Sequence, residues 1–186
     1  MKTGQIKYYI SIGIIISYLI SGCEKSEDHS DIPEISFQKL VVDDVMDTLG
    51  TVSKTASLTF AFIDGDGDIG SKYFLKESQI FFTWYRKNTD GSYQSYKFAD
   101  GTVQDSLDIP YREVMDRDEA QNKLLKGWIT IHIPAPAFTP AGMDTVRIEY
   151  YITDRARHKS NIIYTPDFSI LDDYVEIGED PDIPKK

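Results

Sequence analysis

From Glu34 onward, apolar residues recur at every second position in short runs, and clusters of Gly, Pro and Asp interrupt them every 8–15 residues. A period of two sends alternate side chains to opposite faces of a pleated strand, so the pattern predicts strands with one buried face. Residues 35–42 open the series. In residues 58–63, Leu58, Phe60 and Phe62 alternate with Thr59, Ala61 and Ile63, which aims the first set at a core. Residues 79–87 are apolar on both faces, as a central strand is. Residues 92–98 can pair with them across Asn88-Thr89-Asp90-Gly91, whose Asp-Gly step is a hairpin turn signal. Residues 103–109, 128–133, 145–152 and 161–171 bring the series to seven or eight strands. Nothing alternates strand with helix, so the expected fold is all-β: an antiparallel sandwich of two sheets, immunoglobulin-like or fibronectin type III-like. One segment departs from it. Residues 110–127 are charged, carry Tyr111, Val114 and Met115 at helical spacing and end in Lys126-Gly127. They predict a long loop with one short helical turn.

The segment before Glu34 has a different pattern. Lys2 and Lys7 precede a run without charge from Tyr8, and the run ends in Ser21-Gly22-Cys23. A basic start, an apolar middle and small residues at the end are the layout of a secretory signal peptide. The 15 uncharged residues from Tyr8 to Gly22 fall short of the roughly 20 that a membrane-crossing helix needs. Ile20-Ser21-Gly22-Cys23 resembles the lipobox of bacterial lipoproteins. That resemblance implies removal of residues 1–22 and a covalent lipid on Cys23: a diacylglyceryl group on the sulfur and an acyl group on the new amine. At about 0.8 kcal/mol per buried CH₂, three such chains would hold the protein on a membrane permanently. Cys23 is also the single cysteine, so the exported part carries neither a disulfide nor a thiol that could mispair.

Residues 24–33 are polar and acidic and read as a solvated tether. A lysine followed closely by acids just after the lipidated cysteine is similar to the surface-export signal of lipoproteins that display glycan-uptake machinery on the outer membrane of Gram-negative bacteria. A generic charged spacer would read the same way. The expected organisation is therefore a signal peptide at 1–22, lipidated Cys23 and tether at 23–33, a sandwich domain at 34–175, and an acidic tail at 176–186 that frays.

The formal charge of the 186-residue chain is −10, and loss of Lys2 and Lys7 makes it −12. Nucleic acid is excluded as a partner, because binding it requires clustered cations that displace counterions.

The most specific motif is Asp64-Gly65-Asp66-Gly67-Asp68-Ile69-Gly70, which sets three carboxylates two residues apart at the end of a strand. Extended, they would stand about 6.6 Å apart, too far for one ion. Glycines 65 and 67 let the chain curl, since positive φ carries no penalty for them. Curled, the carboxylates of Asp64, Asp66 and Asp68 can converge on a hard cation such as Ca²⁺, which takes six to eight oxygens. The loop is not an EF-hand: with Asp64 as position one, position six is Ile69 and position twelve is Leu75, where a glycine and a bidentate Glu belong. Asp154, in the loop after residues 145–152, is the best further ligand, and Asn161 could add a carbonyl oxygen. A plain turn of solvated acids fits the same residues, because exposed carboxylates about 5 Å apart repel by less than ~1 kcal/mol in water.

Residues 58–70 (LTFAFIDGDGDIG) and 149–161 (EYYITDRARHKSN) together resemble small immunoglobulin-like surface lipoproteins of bacteria, in which a strand ending in an F-x-D-x-D-G-D-I-G-like run accompanies a C-terminal I-T-D…S-N loop. The family has no established activity, so the resemblance implies fold and location and leaves function open. Arg157 and His158 stand where many such loops carry glycine and asparagine.

No catalytic motif appears. G-x-S-x-G and H-E-x-x-H are missing, and the mature chain offers no cysteine nucleophile beyond its lipidated first residue. The chain is therefore read as a non-enzyme: a membrane-anchored lipoprotein on the outer membrane or cell surface, with a β-sandwich that binds or supports a partner and that Ca²⁺ could stabilise. The alternative is an accessory glycan-binding lipoprotein. Tyr85, Tyr93, Tyr96 and Trp128 fall around the expected hairpin and its neighbour, where rings of alternate parity face outward and could stack on a sugar or a cell-surface protein. Core filling and ordinary cross-strand ring pairs would use the same residues.

Overall fold

A computed structural model of the chain describes residues 29–46, 48–70, 79–98, 100–107, 124–135 and 145–181. Within them the protein is an antiparallel β-sandwich with strands β1 (Glu34–Met46), β2 (Val52–Asp64), β3 (Ile80–Lys87), β4 (Tyr93–Ser95), β5 (Gln104–Leu107), β6 (Leu125–Pro134), β7 (Thr145–Ile152), β8 (Ile163–Tyr164), β9 (Phe168–Ser169) and β10 (Val175–Gly178). One sheet runs β10-β1-β2-β6. The other runs β4-β3-β7-β8, with β5 also paired to β3 and β9 to β7.

The expected alternation decides which face is buried. Leu58, Phe60 and Phe62 of β2 meet Val146, Ile148, Tyr150 and Ile152 of β7 and Ile80, Phe82 and Trp84 of β3 in one core. The rings of Phe60 and Tyr150 lie 5.4 Å apart, and Trp84 sets its edge against Phe168 at 6.1 Å. Each large side chain removed from water contributes on the order of 1.5–3 kcal/mol, so these few rings and branched chains hold the two sheets together.

Three expectations change. Residues 175–178 do not fray: β10 pairs with β1 from Lys39↔Gly178 to Val42↔Val175, and Val175 and Ile177 pack on the core while Glu176 faces out. Residues 161–171 form two short strands, β8 and β9, in place of one, and β6 begins at Leu125 rather than at Trp128. The helical turn expected within residues 110–127 falls largely on 110–123, which lie outside the described residues.

Candidate metal centre

Along β2 the inward parity that buries Leu58, Phe60 and Phe62 continues to Asp64, which is 0% exposed. An acid thus occupies the last inward position of a core strand. The chain then folds back on it: carboxylate Oδ2 of Asp64 accepts the backbone N–H of Asp68 at 2.8 Å and of Ile69 at 3.2 Å. Gly67, at φ +68°, makes the reversal, and buried Ile69 pins the far side of the loop in the core. The DGDGD spacing therefore yields a closed loop around its first carboxylate.

One carboxylate oxygen from each of Asp64, Asp66 and Asp68 lies within 4.8 Å of the others. That spacing lets a hard cation such as Ca²⁺, which bonds oxygen at about 2.3–2.6 Å, draw on all three carboxylates at once after small side-chain adjustments. The Oδ1 atoms of all three are buried without a hydrogen-bond partner, and unpaired buried oxygens of this kind are what a cation satisfies. Burial, with the charge of Asp66, pushes the Asp64 carboxyl up to about 7. Asp68 is raised too, by burial and by the nearby Asp154 and Asp66.

Asp154 reaches the same end of the sandwich from the loop after β7. Its carboxylate is engaged by His158, which donates its backbone N–H to Oδ1 at 2.7 Å and sets ring Nδ1 against Oδ2 at 2.8 Å. That contact raises the His158 pKa. The loop is tied to the aspartate cluster by Arg155, whose Nε donates to the Asp68 carbonyl at 2.8 Å, and by the Ala156 N–H, which donates to Asp68 Oδ2 at 3.1 Å. Asp154 thus lies beside the converging three rather than among them. Asn161 is used elsewhere: its side chain accepts the N–H of Ile35 at 2.8 Å and donates to the carbonyl of the same residue at 2.9 Å, bracketing the start of β1.

The chain leading into β1 crosses this end as well. Gly65 donates its N–H to the Ser30 carbonyl at 3.0 Å. A Cβ on Gly65 would lie 2.5 Å from that oxygen and 2.6 Å from the His29 carbonyl. Only glycine fits between the loop and the segment preceding the strand.

The aromatic candidates separate. Tyr85 and Tyr93 share the outer face of the second sheet, where the Arg147 guanidinium lies 3.5 Å from the Tyr93 ring, 4.3 Å from Tyr164 and 5.7 Å from Tyr85. Tyr85 donates to Glu149 at 3.2 Å, and Tyr93 donates to Asp167 at 2.7 Å. One face of the Tyr93 ring is thereby covered by the protein's own arginine. Tyr96 turns inward and packs edge-on to Phe98 at 5.2 Å. Trp128 lies on β6 in the other sheet, 42% exposed. Arg147, Glu149 and Tyr164 were not among the expected residues; the alternation in T-V-R-I-E-Y, opposing Arg147 and Glu149 to Val146, Ile148 and Tyr150, was the available signal.

No protein-family model matches the chain, and no curated protein matches it in sequence.

Proposed function

We propose that this protein is a lipid-anchored, extracytoplasmic β-sandwich with a non-catalytic binding or structural role, and that its Asp64–Gly70 loop holds one divalent cation such as Ca²⁺. The cation reading rests on Asp64, a fully buried carboxylate with one oxygen unpaired and two further carboxylate oxygens within 4.8 Å. Asp64, Asp66 and Asp68 supply three ligands, and water or backbone carbonyls complete the six to eight that Ca²⁺ takes. The anchor reading rests on Ile20-Ser21-Gly22-Cys23 and the acidic tether after it. In this reading the cation has a structural part. It neutralises a loop that touches both the segment leading into β1 and the loop that follows β7.

The test is thermal unfolding in excess chelator, then in millimolar Ca²⁺ or Mg²⁺. A ligand present at about a hundred times its Kd stabilises the fold by roughly 2.7 kcal/mol, which for a domain of this size raises Tm by several degrees. Asp66→Asn is expected to abolish the calcium-dependent rise. Equal melting temperatures in chelator and calcium would reduce Asp64–Gly70 to a turn.

A further inference from the structure

At the end of the sandwich remote from the aspartate loop, β1 and β2 outrun their neighbours. β10 follows β1 as far as Val42, opposite Val175, and β6 follows β2 as far as Thr55, opposite Pro134, with the Ala135 N–H on the Lys54 carbonyl at 2.8 Å. Among the described residues, the two strands beyond those points pair only with each other, from Asp43↔Thr55 to Met46↔Val52. A two-stranded ribbon without further strands is only marginally stable in water, and sheet margins usually carry charge to discourage association. This ribbon is apolar at its tip: Val45, Met46 (67% exposed), Leu49 (88% exposed) and Val52 all face solvent.

Residues 171–174 lie alongside. Lys54 Nζ, paired to Asp44 at 3.3 Å, also donates to the carbonyls of Asp172 at 2.8 Å and Asp173 at 3.4 Å. These bonds bring exposed Leu171 and Tyr174 to the same end. The border is acidic: Asp43, Asp44, Asp172 and Asp173 are all exposed, and Lys54 is already engaged.

We propose that this ribbon tip, with Leu171 and Tyr174, is a docking surface for a partner protein that presents an apolar recess rimmed by lysine or arginine. An exposed apolar patch inside a polar border marks an interaction site, and the border selects the occupant. A second copy would set aspartates against aspartates, an anionic lipid surface would set them against phosphates, and the net charge of −10 adds long-range repulsion in both cases. A cationic rim converts the same charges into attraction and steers the encounter.

The probe is an eight-residue peptide of alternating lysine and leucine, compared with its glutamate–leucine counterpart, titrated into isotope-labelled Cys23→Ser full-length protein and followed by NMR shifts. The lysine peptide is expected to shift residues 43–54 and 171–174. Met46→Ser with Leu171→Ser should weaken it at least tenfold at an unchanged melting temperature, and Asp43→Lys with Asp172→Lys should transfer preference to the glutamate peptide. Val52→Ser, opposite Met46 on the same ribbon face, is the second variant should the first pair disturb folding, and the same loss of binding is expected of it. Shifts spread over the acidic surface and indifferent to these substitutions would overturn the proposal. So would patch-dependent self-association in sedimentation, which would assign the surface to a second copy, or patch-dependent flotation with phosphatidylglycerol vesicles, which would assign it to a membrane.

Discussion

At the scale of a residue, Asp64 shows how one inward position in a strand becomes chemistry. β-Alternation delivers its carboxylate to the end of the core, two backbone N–H groups satisfy Oδ2, and Oδ1 is left unpaired near two other acids. Burial raises its pKa from 3.8 to about 7. An acid whose folded pKa exceeds its unfolded pKa binds more protons when folded, so its contribution to stability is complete below the unfolded value and lost as pH rises through the folded one. In chelator, Tm should therefore fall between pH about 4 and about 7, the window set by the two Asp64 values. Asp68, also raised, acts in the same direction. Asp90 and Asp100, held low by hydrogen bonds from Ser92 and Thr102, act below that window. Asp64→Asn should flatten the slope, and Ca²⁺ at pH 7 should restore what deprotonation removes, because the cation then takes the place of the proton. A Tm in chelator that stays level over this window would contradict the buried, proton-binding Asp64.

At the scale of an element, β10 depends on one residue without a side chain. Gly178 stands at φ +90° opposite Lys39, beside the irregular register between Phe37 and Lys39, and a Cβ there would overlap the Gln38 carbonyl. That carbonyl also accepts the Glu179 N–H at 3.2 Å. Gly178→Ala combines an unfavourable backbone conformation with a clash against main chain, a loss of about 1–3 kcal/mol. Hydrogen exchange should rise at residues 39–42 and 175–178 and leave β3 and β7 unchanged; unaltered protection of β10 would refute the assignment. This strand also marks how far the sequence could be read. The buried faces of β2 and β7 were legible because Leu58, Phe60 and Phe62, and Val146 and Ile148, recur at every second position, and β3 was legible as a central strand because it is apolar on both faces. The aspartate loop was legible because three acids separated by glycine have few alternatives. Val175 and Ile177 were not, since acids and a proline surround them and the strand that buries them lies more than a hundred residues away. A similar distance hid the bracket between Asn161 and Ile35, and the stacking of Arg147 on Tyr93 and Tyr164 was hidden because only the sheet order brings these residues together.

At the scale of the whole molecule, the two ends of β1 differ in kind. Near Glu34 the preceding chain is held by the Gly65–Ser30 hydrogen bond and the Asn161 bracket, beside the three carboxylates. The other end, 13 residues on and about 40 Å away at 3.3 Å per residue, is the ribbon, whose strands gain little from the sandwich. Local opening costs least where buried contacts are few, so the ribbon should exchange faster than the rest of β1 and β2 under all conditions. Exchange near Ser30 should depend on the aspartate loop. A cation that ties Asp64, Asp66 and Asp68 together fixes the Gly65 N–H that holds Ser30 and the Asp68 carbonyl that holds Arg155. Calcium should therefore slow amide exchange across residues 29–35, 64–70 and 154–161, with little effect on 43–54. Gly65→Ala, which drives the preceding chain off the loop, should remove the protection of residues 29–35 while leaving calcium binding itself detectable in the melting temperature. If calcium slowed exchange equally at both ends of β1, its action would be global stabilisation rather than a local tie. If it slowed exchange at 64–70 alone, the loop would bind the ion without holding the chain that leads into the domain.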